Sequence, residues 1–456
     1  MIRTLLIANR GEIALRVVRA CRLMKIKSVA VYAKGDEHSL HVRLADHAVC
    51  IGPPGAATYL NSQSILSAAE ITDADAIHPG YGFLAENAEF SKAVTDSGLL
   101  FIGPDHQLIA TMGDKINAIK TMREHGVPTI PGSQGNLTDD PKAQLAIAEH
   151  IGYPVLIKAS AGGGGRGMQP VFSESDLLDA IQTIKVQAKQ LFGCDHVYLE
   201  KYLQTPRHVE VQVLADTHGQ VFCVGDRDCS VQRRHQKIIE EAPAFDIPDA
   251  SRSQLFKTCR QAIERIGYVG VGTIELLYEH GTFYFIEMNT RIQVEHPVTE
   301  LVAGIDLIQA QIRAHAGERI DYHCPEKPRG HAIECRINAE DARTMQPAPG
   351  QITECHFPGG YGVRVDSHVY AGFTVQHYFD SLIAKIIVHA DTRAQAIIAM
   401  QQALNELHIG GIQTNTALHQ RILSDAAFQA GQVHIHFLSQ HKTQKSDSMV
   451  EMAETA

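Results

Sequence analysis

Apolar positions near the start of the chain follow two periods in turn. Leu5–Asn9 is a short apolar run ending in Asn-Arg-Gly-Glu12, after which Ile13, Val17, Ala20 and Met24 recur at helical spacing. Val29–Tyr32 is a second apolar run. This strand–helix–strand alternation predicts a parallel α/β sheet, with Gly11 in the turn between the first strand and its helix. His78-Pro-Gly-Tyr-Gly-Phe83 is dense in breakers. It predicts a loop at a strand end, where such sheets bind ligands.

A new helical segment begins at Gly113-Asp114, so a first domain is expected over residues 1–113 and a second over 114–330. Within the second, a glycine-rich unit of about residues 131–203 is bracketed by Pro131-Gly132 and Tyr202-Leu203. Strands are predicted at His208–Leu214, Val221–Gly225, Gly272–Tyr278 and Thr282–Val294. A last section, 331–441, mixes strands with helices near Ala394–Glu406 and Thr416–Ser424. The tail, 442–456, is polar without a period and is expected to be disordered. The fold class is thus α/β and α+β, an N-terminal parallel domain followed by mixed ones, with no internal repeat.

Composition narrows the function classes. A chain of 456 residues exceeds what one core organises, and 44% hydrophobic with 20% charged residues is ordinary for a globular enzyme. No apolar run approaches a membrane span, and the N-terminal run is too short for a secretory segment. Nine dispersed cysteines without a Cys-x-x-Cys pair suit reduced thiols in the cytoplasm. A net charge of −10 argues against nucleic acid as partner. Histidines are plentiful, at 25. Yet His38/His41/His47 and His434-x-His436 lack zinc-site spacing and read as surface or packed residues.

Val155-Leu-Ile-Lys158 leads into Ala159-Ser-Ala-Gly162-Gly-Gly-Gly-Arg166-Gly167-Met168. Gly162-x-Gly164-x-x-Gly167 has dinucleotide-fingerprint spacing, a weak signal alone. That fingerprint needs a helix next to hold a pyrophosphate, whereas Met168-Gln-Pro-Val-Phe172 is extended and broken by proline. A Walker loop would need Lys at Met168. What remains is a strand–glycine loop–strand flap whose backbone N–H groups approach phosphates; a merely flexible loop is the plain alternative. Lys158 supplies a point charge beside it.

In Ile286-Glu-Met-Asn-Thr-Arg-Ile-Gln-Val-Glu295, strand alternation puts Glu287, Asn289, Arg291, Gln293 and Glu295 on one face. These are ligands, donors and bases. Gly272–Tyr278 and Thr282–Phe285 flank Glu279-His-Gly281, a hairpin signal. An odd-length loop there brings Glu275 and Glu287 to one face of adjacent strands. With Asn289 they form an oxygen-only set appropriate to Mg²⁺; a solvated acidic face is the alternative. Fully extended, Glu295 would lie ~25 Å from Glu287, but Pro297 and local turn signals predict a bend first. The stripe then runs from a metal end to an end where Arg291 grips a small oxyanion and Glu295 acts as base. Arg227-Asp-Cys-Ser-Val-Gln-Arg-Arg234-His-Gln-Lys237 gathers further charge and reads as an anion pocket.

Taken together, these stretches resemble the biotin carboxylases of the ATP-grasp superfamily. The resemblance rests on Ile7–Arg16, Ile77–Leu84, Lys158–Met168, Arg227–Lys237, Phe285–Pro297 and Glu334-Cys-Arg-Ile-Asn-Ala-Glu-Asp341, and covers roughly residues 2–438. It implies a three-domain ATP-grasp enzyme with a mobile glycine-loop lid. It further implies ATP, Mg²⁺ or Mn²⁺, bicarbonate and carrier-bound biotin. By the same resemblance, Lys115 and Lys158 are nucleotide-phosphate lysines, and Gly163, Gly164, Gly165 and Gly167 belong to the closing lid. Glu200, Lys201 and Leu203 match the adenine-binding stretch, partly through backbone groups; His208, Gln232 and His235 match the nucleotide site. Glu275, Glu287 and Asn289 are similar to the metal ligands. Lys237, Arg291, Gln293 and the Val294 backbone resemble the bicarbonate grip, with Glu295 as general base. Arg336 matches the arginine that holds carboxyphosphate and the biotin enolate, acting after Glu295; Tyr81, with His235, lies where the family approaches biotin.

The chain holds no Ala-Met-Lys-Met biotin-attachment motif. A biotin carboxyl carrier protein and a carboxyltransferase on other chains are therefore expected. The resemblance points first to an acetyl-CoA carboxylase of fatty acid synthesis, with another acyl-CoA, pyruvate or urea open as acceptor, and implies that the subunit is a homodimer. Another ATP-grasp ligase joining a carboxylate to an amine shares the lysines, lid and acids, but leaves the Arg291–Glu295 and Arg336 motifs without a use. A nucleotide-sensing subunit without turnover is the non-enzymatic reading.

Overall fold

The computed structural model describes residues 2–133, 135–161, 167–323, 325 and 327–440. The tail 442–456 lies outside the described residues.

The N-terminal apolar runs become a five-stranded parallel sheet from β1 (Thr4–Ile7), β2 (Lys27–Ala33), β3 (His47–Gly52), β4 (Ala76–His78) and β5 (Leu100–Phe101), in the order β3-β2-β1-β4-β5. The period-3.6 segment after Asn9 is the helix Gly11–Leu23, whose Ile13, Val17 and Ala20 are buried. Strand order reverses beside β1, so the loops leaving the ends of β1 and β4 face each other across the crevice. Asn9 ties them, its Nδ2 donating to the carbonyls of Pro79 and Tyr81, each at 2.7 Å.

The glycine-rich unit is a three-stranded antiparallel sheet ordered β7-β6-β8, from β6 (Val155–Ala159), β7 (Met168–Val171) and β8 (Val197–Lys201). Lys158 pairs with Met168 across β6 and β7, as a flap requires. The helix Leu177–Phe192 covers it, and Ile157, Ile181, Ile184 and Leu199 belong to its own core.

The third sheet has eight strands. β9 (Arg207–Ala215), β10 (Val221–Arg233), β11 (Gln236–Ala242), β12 (Gly270–Glu279) and β13 (Thr282–Asn289) lie in the order β13-β12-β9-β10-β11. Beyond β11 the sheet continues. Of β14 (His331–Asn338), β15 (Gly350–Gln351), β16 (Glu354–His356), β17 (Val363–Ser367), β18 (Thr374–Val375), β19 (Leu382–Ala390) and β20 (His408–Gly410), it takes in β14, β19 and β17. The rest form two short ladders, β15 with β18 and β16 with β20. Helices Arg393–Glu406 and Thr416–Leu423 pack on this end, burying Ile397, Met400 and Leu423. One continuous antiparallel sheet thus carries residues of the second and third sections side by side, which sets Arg336 beside residues about a hundred positions earlier in the chain.

Candidate active site

A cavity of about 890 Å³ opens where the parallel sheet's crevice, the three-stranded flap and the eight-stranded sheet meet. Its walls take Tyr81 from the loop after β4, Lys115 from the start of the helix Lys115–Glu124, and Lys158 from β6. Glu275, Glu287 and Asn289 come from the β12–β13 hairpin, and Arg336 from β14.

The hairpin puts Glu275 directly opposite Glu287, though not by the route expected. Its turn is the two-residue His280-Gly281, with φ of 49° and 82°, the left-handed pair of a tight hairpin. That turn pairs Glu279 with Thr282 and Leu276 with Phe285, and would have faced Glu275 with Ile286. A β-bulge between Glu275 and Leu276 shifts the register by one and supplies the carboxylate pair.

The two acids differ in company. Glu275 Oε1 accepts from Lys237 Nζ at 2.9 Å, Asn289 Nδ2 at 2.7 Å and Gln293 Nε2 at 2.6 Å, and His208 Nε2 lies 3.0 Å from Oε2. Burial pushes its carboxyl up, but Lys237 and His208 hold it well below the carboxylate range. Burial and then the charge of Glu275 push the Glu287 carboxyl up, against Lys115. A carboxylate raised beside another, with an amide two residues on, is a donor set that a hard divalent cation satisfies. His208, Glu210 and Glu275 also bring ligand-type atoms within 4.8 Å of one another. Lys237 already occupies that place, its Nζ 2.5 Å from Glu210 Oε2.

Strand β13 stops at Asn289, not at Val294. The next N–H, of Thr290, goes to Glu86 Oε1 at 3.1 Å instead of a strand partner, and Arg291 Nε is 2.8 Å from the same carboxylate. The chain then turns, and the helix His296–Ala303 starts with Glu295 at its N-cap position. Convergence therefore comes from this bend, not from strand alternation. Lys237 reaches both ends of the stripe, donating to Glu295 Oε1 at 2.7 Å as well as to Glu275. Arg336 Nη2 donates to Glu295 Oε2 at 2.9 Å, and Arg336 Nε to Glu240 Oε1 at 2.5 Å. Burial raises Glu295, but Lys237, Arg336 and Arg227 outweigh it and hold this carboxyl well below its ordinary value.

Sequence comparison matches residues 1–109 to the domain described as "Biotin carboxylase, N-terminal domain" and 334–440 to "Biotin carboxylase C-terminal domain". Residues 114–323 match "Carbamoyl-phosphate synthase L chain, ATP binding domain". The biotin carboxylase of Haemophilus influenzae is 55% identical over 440 residues, 96% of this chain and 98% of that one. The chain belongs to the biotin carboxylase family. Solved structures agree. A biotin carboxylase–βγ-ATP complex from Campylobacter jejuni superposes with a TM-score of 0.92 at 46% identity, covering 97% of this chain and 99% of that chain. The biotin carboxylase domain dimer of a Hydrogenobacter thermophilus 2-oxoglutarate carboxylase, with MgADP, ADP and bicarbonate, has a TM-score of 0.91 at 43% identity, covering 97% and 98%.

The remaining residues singled out in the sequence divide within this biotin carboxylase fold. Lys158 Nζ lies 2.5 Å from Glu200 Oε2 across β6 and β8. Lys201, also on the cavity wall, donates its side chain to the carbonyls of Gly152 at 2.8 Å and Tyr153 at 3.0 Å. Gln232 Nε2 lies 2.9 Å from His208 Nδ1, and Leu203, His235 and Val294 also line the walls. Gly167 holds a φ of 71° at the foot of the flap, while Gly163, Gly164 and Gly165 lie outside the described residues.

The Arg227–Lys237 cluster does not gather into one anion pocket. Arg227 is wholly buried, pairing with Glu210 at 2.5 Å and with Gln212, Thr299 and Gln293. Arg233 pairs with Glu340 at 2.8 Å. As β10 is a strand, alternate members point to different places; among the named cationic groups, His235 and Lys237 line the cavity. Gln293, expected on the oxyanion, gives its amide to Glu275 and takes the Arg227 guanidinium at 2.6 Å. Sequence reasoning missed Glu86, Glu210 and Glu240. Glu210 was findable: His208, Glu210 and Gln212 are alternate polar residues in a valine-rich strand. His436, read as an ordinary histidine, lines the cavity with Nε2 3.5 Å from the Tyr202 hydroxyl.

Proposed function

We propose that the protein uses ATP and bicarbonate to carboxylate the ureido N1′ of biotin on a separate carrier protein, as the first half-reaction of an acetyl-CoA carboxylase. The observation that carries this reading is Glu295, an anionic carboxylate set between Lys237 and Arg336 beside the Glu275–Glu287 pair. Lys115, Lys158 and the glycine flap take the phosphates, and Glu200, Lys201 and Leu203 the adenine edge. Glu275, Glu287 and Asn289 hold Mg²⁺ or Mn²⁺, which supplies charge neutralisation on the phosphates.

Bicarbonate enters the part of the cavity lined by Lys237, which donates to Glu295, and by Arg291. A base held far below its ordinary pKa is ionised but weak. Incoming oxyanion competes for the Lys237 and Arg336 donors, and this returns proton affinity to Glu295 when substrate is present. Glu295 then takes the bicarbonate proton on a carboxylate oxygen, and the freed oxygen attacks the γ-phosphorus, releasing ADP and leaving carboxyphosphate. Carboxyphosphate breaks to CO₂ and phosphate; phosphate takes the N1′ proton, and N1′ attacks CO₂. Arg336 faces the negative charge on the ureido oxygen, and Tyr81 and His235 border biotin's approach. The closed flap keeps water from the intermediate.

The test is ADP release by the purified chain with Mg²⁺, bicarbonate and free biotin, together with carboxybiotin. ADP without bicarbonate dependence points to a different ATP-grasp reaction, and no ADP to a nucleotide-binding subunit. The Hydrogenobacter relative makes 2-oxoglutarate a second candidate for the final acceptor. Mass spectrometry of the biotinylated protein and carboxyltransferase that co-purify decides between them; streptavidin blotting of this chain should be blank.

A further inference from the structure

Strand β19 carries a lysine for which the steps above have no use. Lys385 is fully buried, with three acceptors from different parts of the chain around it. Its Nζ donates to the Val294 carbonyl at 2.7 Å, lies 3.1 Å from Glu12 Oε1 and 4.0 Å from Asp366 Oδ2. Glu334, on the neighbouring strand β14, also acts on it, and both oxygens of that buried carboxyl lack a hydrogen-bond partner among the described residues. Glu12 is equally enclosed. Its Oε1 also accepts the Tyr81 hydroxyl, while Oε2 is buried without a hydrogen bond among the described residues.

A methionine would fill the Lys385 volume without desolvating a charge, so the ammonium is a poor device for stability alone. Where it reaches is more informative. The path Tyr81 hydroxyl – Glu12 – Lys385 – Val294 carbonyl joins the loop after β4, the helix Gly11–Leu23, the far sheet and the residue next to Glu295. Asn9 holds the backbone of the Tyr81 loop from the same corner. The turn from Thr290 to Glu295 has no strand partner among the described residues, and Lys385 grips its last carbonyl but one.

We propose that Lys385 and Glu12 are positioning residues for the reaction: they fix the Val294–Glu295 turn to the Tyr81 loop, so that the oxyanion end and the acceptor end of the cavity keep one alignment. This rests on the functional reading above. Neither is among the residues assigned above to nucleotide, though Glu12 lines the cavity, so their loss should appear in the oxyanion and acceptor steps and spare ATP.

The test compares Lys385→Met and Glu12→Gln with the wild-type chain by steady-state kinetics, varying ATP, bicarbonate and free biotin separately. Glu12→Gln keeps an oxygen for Tyr81 and removes the charge that Lys385 meets. Expected are a bicarbonate KM raised about tenfold in Lys385→Met and severalfold in Glu12→Gln, carboxybiotin reduced further than ADP, and an ATP KM within about twofold of wild type. The double variant should lose much less than the product of the single losses, since the second change removes the partner left unpaired by the first. If Lys385→Met does not fold, Glu12→Gln decides alone. An unchanged bicarbonate KM in the folded variants, or ATP and bicarbonate KM rising in parallel, overturns the positioning role. A wild-type chain without bicarbonate-dependent ADP release overturns the functional reading itself.

Discussion

Arg336 and Glu295 form an ion pair of 2.9 Å that joins β14 to the start of the helix His296–Ala303. The sequence places them far apart and assigns them successive steps; the eight-stranded sheet brings them into contact. One carboxylate oxygen of Glu295 accepts from Arg336 and the other from Lys237, which under the proposed function ties together residues assigned to different steps.

This contact changes what Arg336→Ala should do. Carboxybiotin formation should fall by ~10²–10³, the usual worth of a preorganised donor at a developing oxyanion. ADP release should fall less, but its pH profile should move. Burial raises the Glu295 carboxyl and the two cations lower it; without Arg336 its pKa rises. A base is lost as pH falls through its pKa, so the acid limb of bicarbonate-dependent ADP release should shift to higher pH. A limb that stays in place, with equal losses of both products, would show that Arg336 acts on neither Glu295 nor biotin separately. Glu295→Gln should abolish bicarbonate-dependent ADP release.

Glu287→Gln should leave a folded protein with turnover reduced on the order of a hundredfold at limiting Mg²⁺. Burial and Glu275 raise the Glu287 carboxyl, so its ionised form opposes folding when no cation is bound. That penalty grows as pH rises through the unfolded value of about 4.3 toward the folded one. At neutral pH without metal, Glu287→Gln should therefore melt at or above the wild-type temperature. Adding Mg²⁺ and nucleotide should raise the wild-type midpoint more than the variant's. A variant destabilised in metal-free buffer, or one with normal ADP release, speaks against the ligand role.

How much of this was legible in the sequence depends on which force set each feature. The parallel sheet and the flap were readable because period and breakers are local, and Lys158 pairs with Met168 as a strand–loop–strand flap demands. The Glu275–Glu287 pairing was readable in outcome but not in cause, since a two-residue turn and a bulge together mimic the odd-length loop that alternation alone suggests. A bend before Glu295 was readable, but the point at which β13 ends was not: Glu86, about two hundred residues away in sequence, takes the Thr290 N–H. Nor was the fate of Arg227, whose partners come from four other segments. Charge density in a sequence stretch says little when a strand sends alternate side chains to opposite faces.

Gly167 should not tolerate a side chain. Its φ of 71° is strained for any L residue, and an added Cβ would sit 3.0 Å from Ala159 Cβ and 3.1 Å from Phe192 Cε2. Gly167→Val should raise the ATP KM severalfold or more while ADP formed at saturating ATP changes less, because the flap's foot is displaced and the catalytic acids are not. An unchanged ATP KM would separate the flap from nucleotide binding.

The acid limit of stability should be set in part by Glu241, the neighbour of Glu240 on β11 but not part of the cavity wall. Glu241 lies on β11, buried, with His331 Nε2 at 2.7 Å and Arg393 Nε at 2.6 Å and Nη2 at 3.1 Å. Arg393 begins the helix Arg393–Glu406, donates to the carbonyls of Phe428 and Gln429, and stacks on Phe245 and Phe428 with its guanidinium 4.6 and 5.0 Å from the ring centroids. It thus pins the C-terminal helices to the long sheet. Burial opposes the Glu241 charge, but hydrogen bonds from His331 and Arg393 win and bring its carboxyl down to about 2. A depressed carboxyl stabilises the fold above its unfolded value of about 4.3 and loses that contribution as pH falls from there toward about 2. Arg393→Ala leaves Glu241 buried without its bidentate partner and should cost about 3–5 kcal/mol at neutral pH. Glu241→Gln should show a midpoint deficit that is constant from neutral pH to about 5 and narrows below about 4.3. Urea unfolding of the three proteins from neutral pH down to the acid limit measures both, and a deficit that widens as pH falls would mean that Glu241 is not the group being protonated.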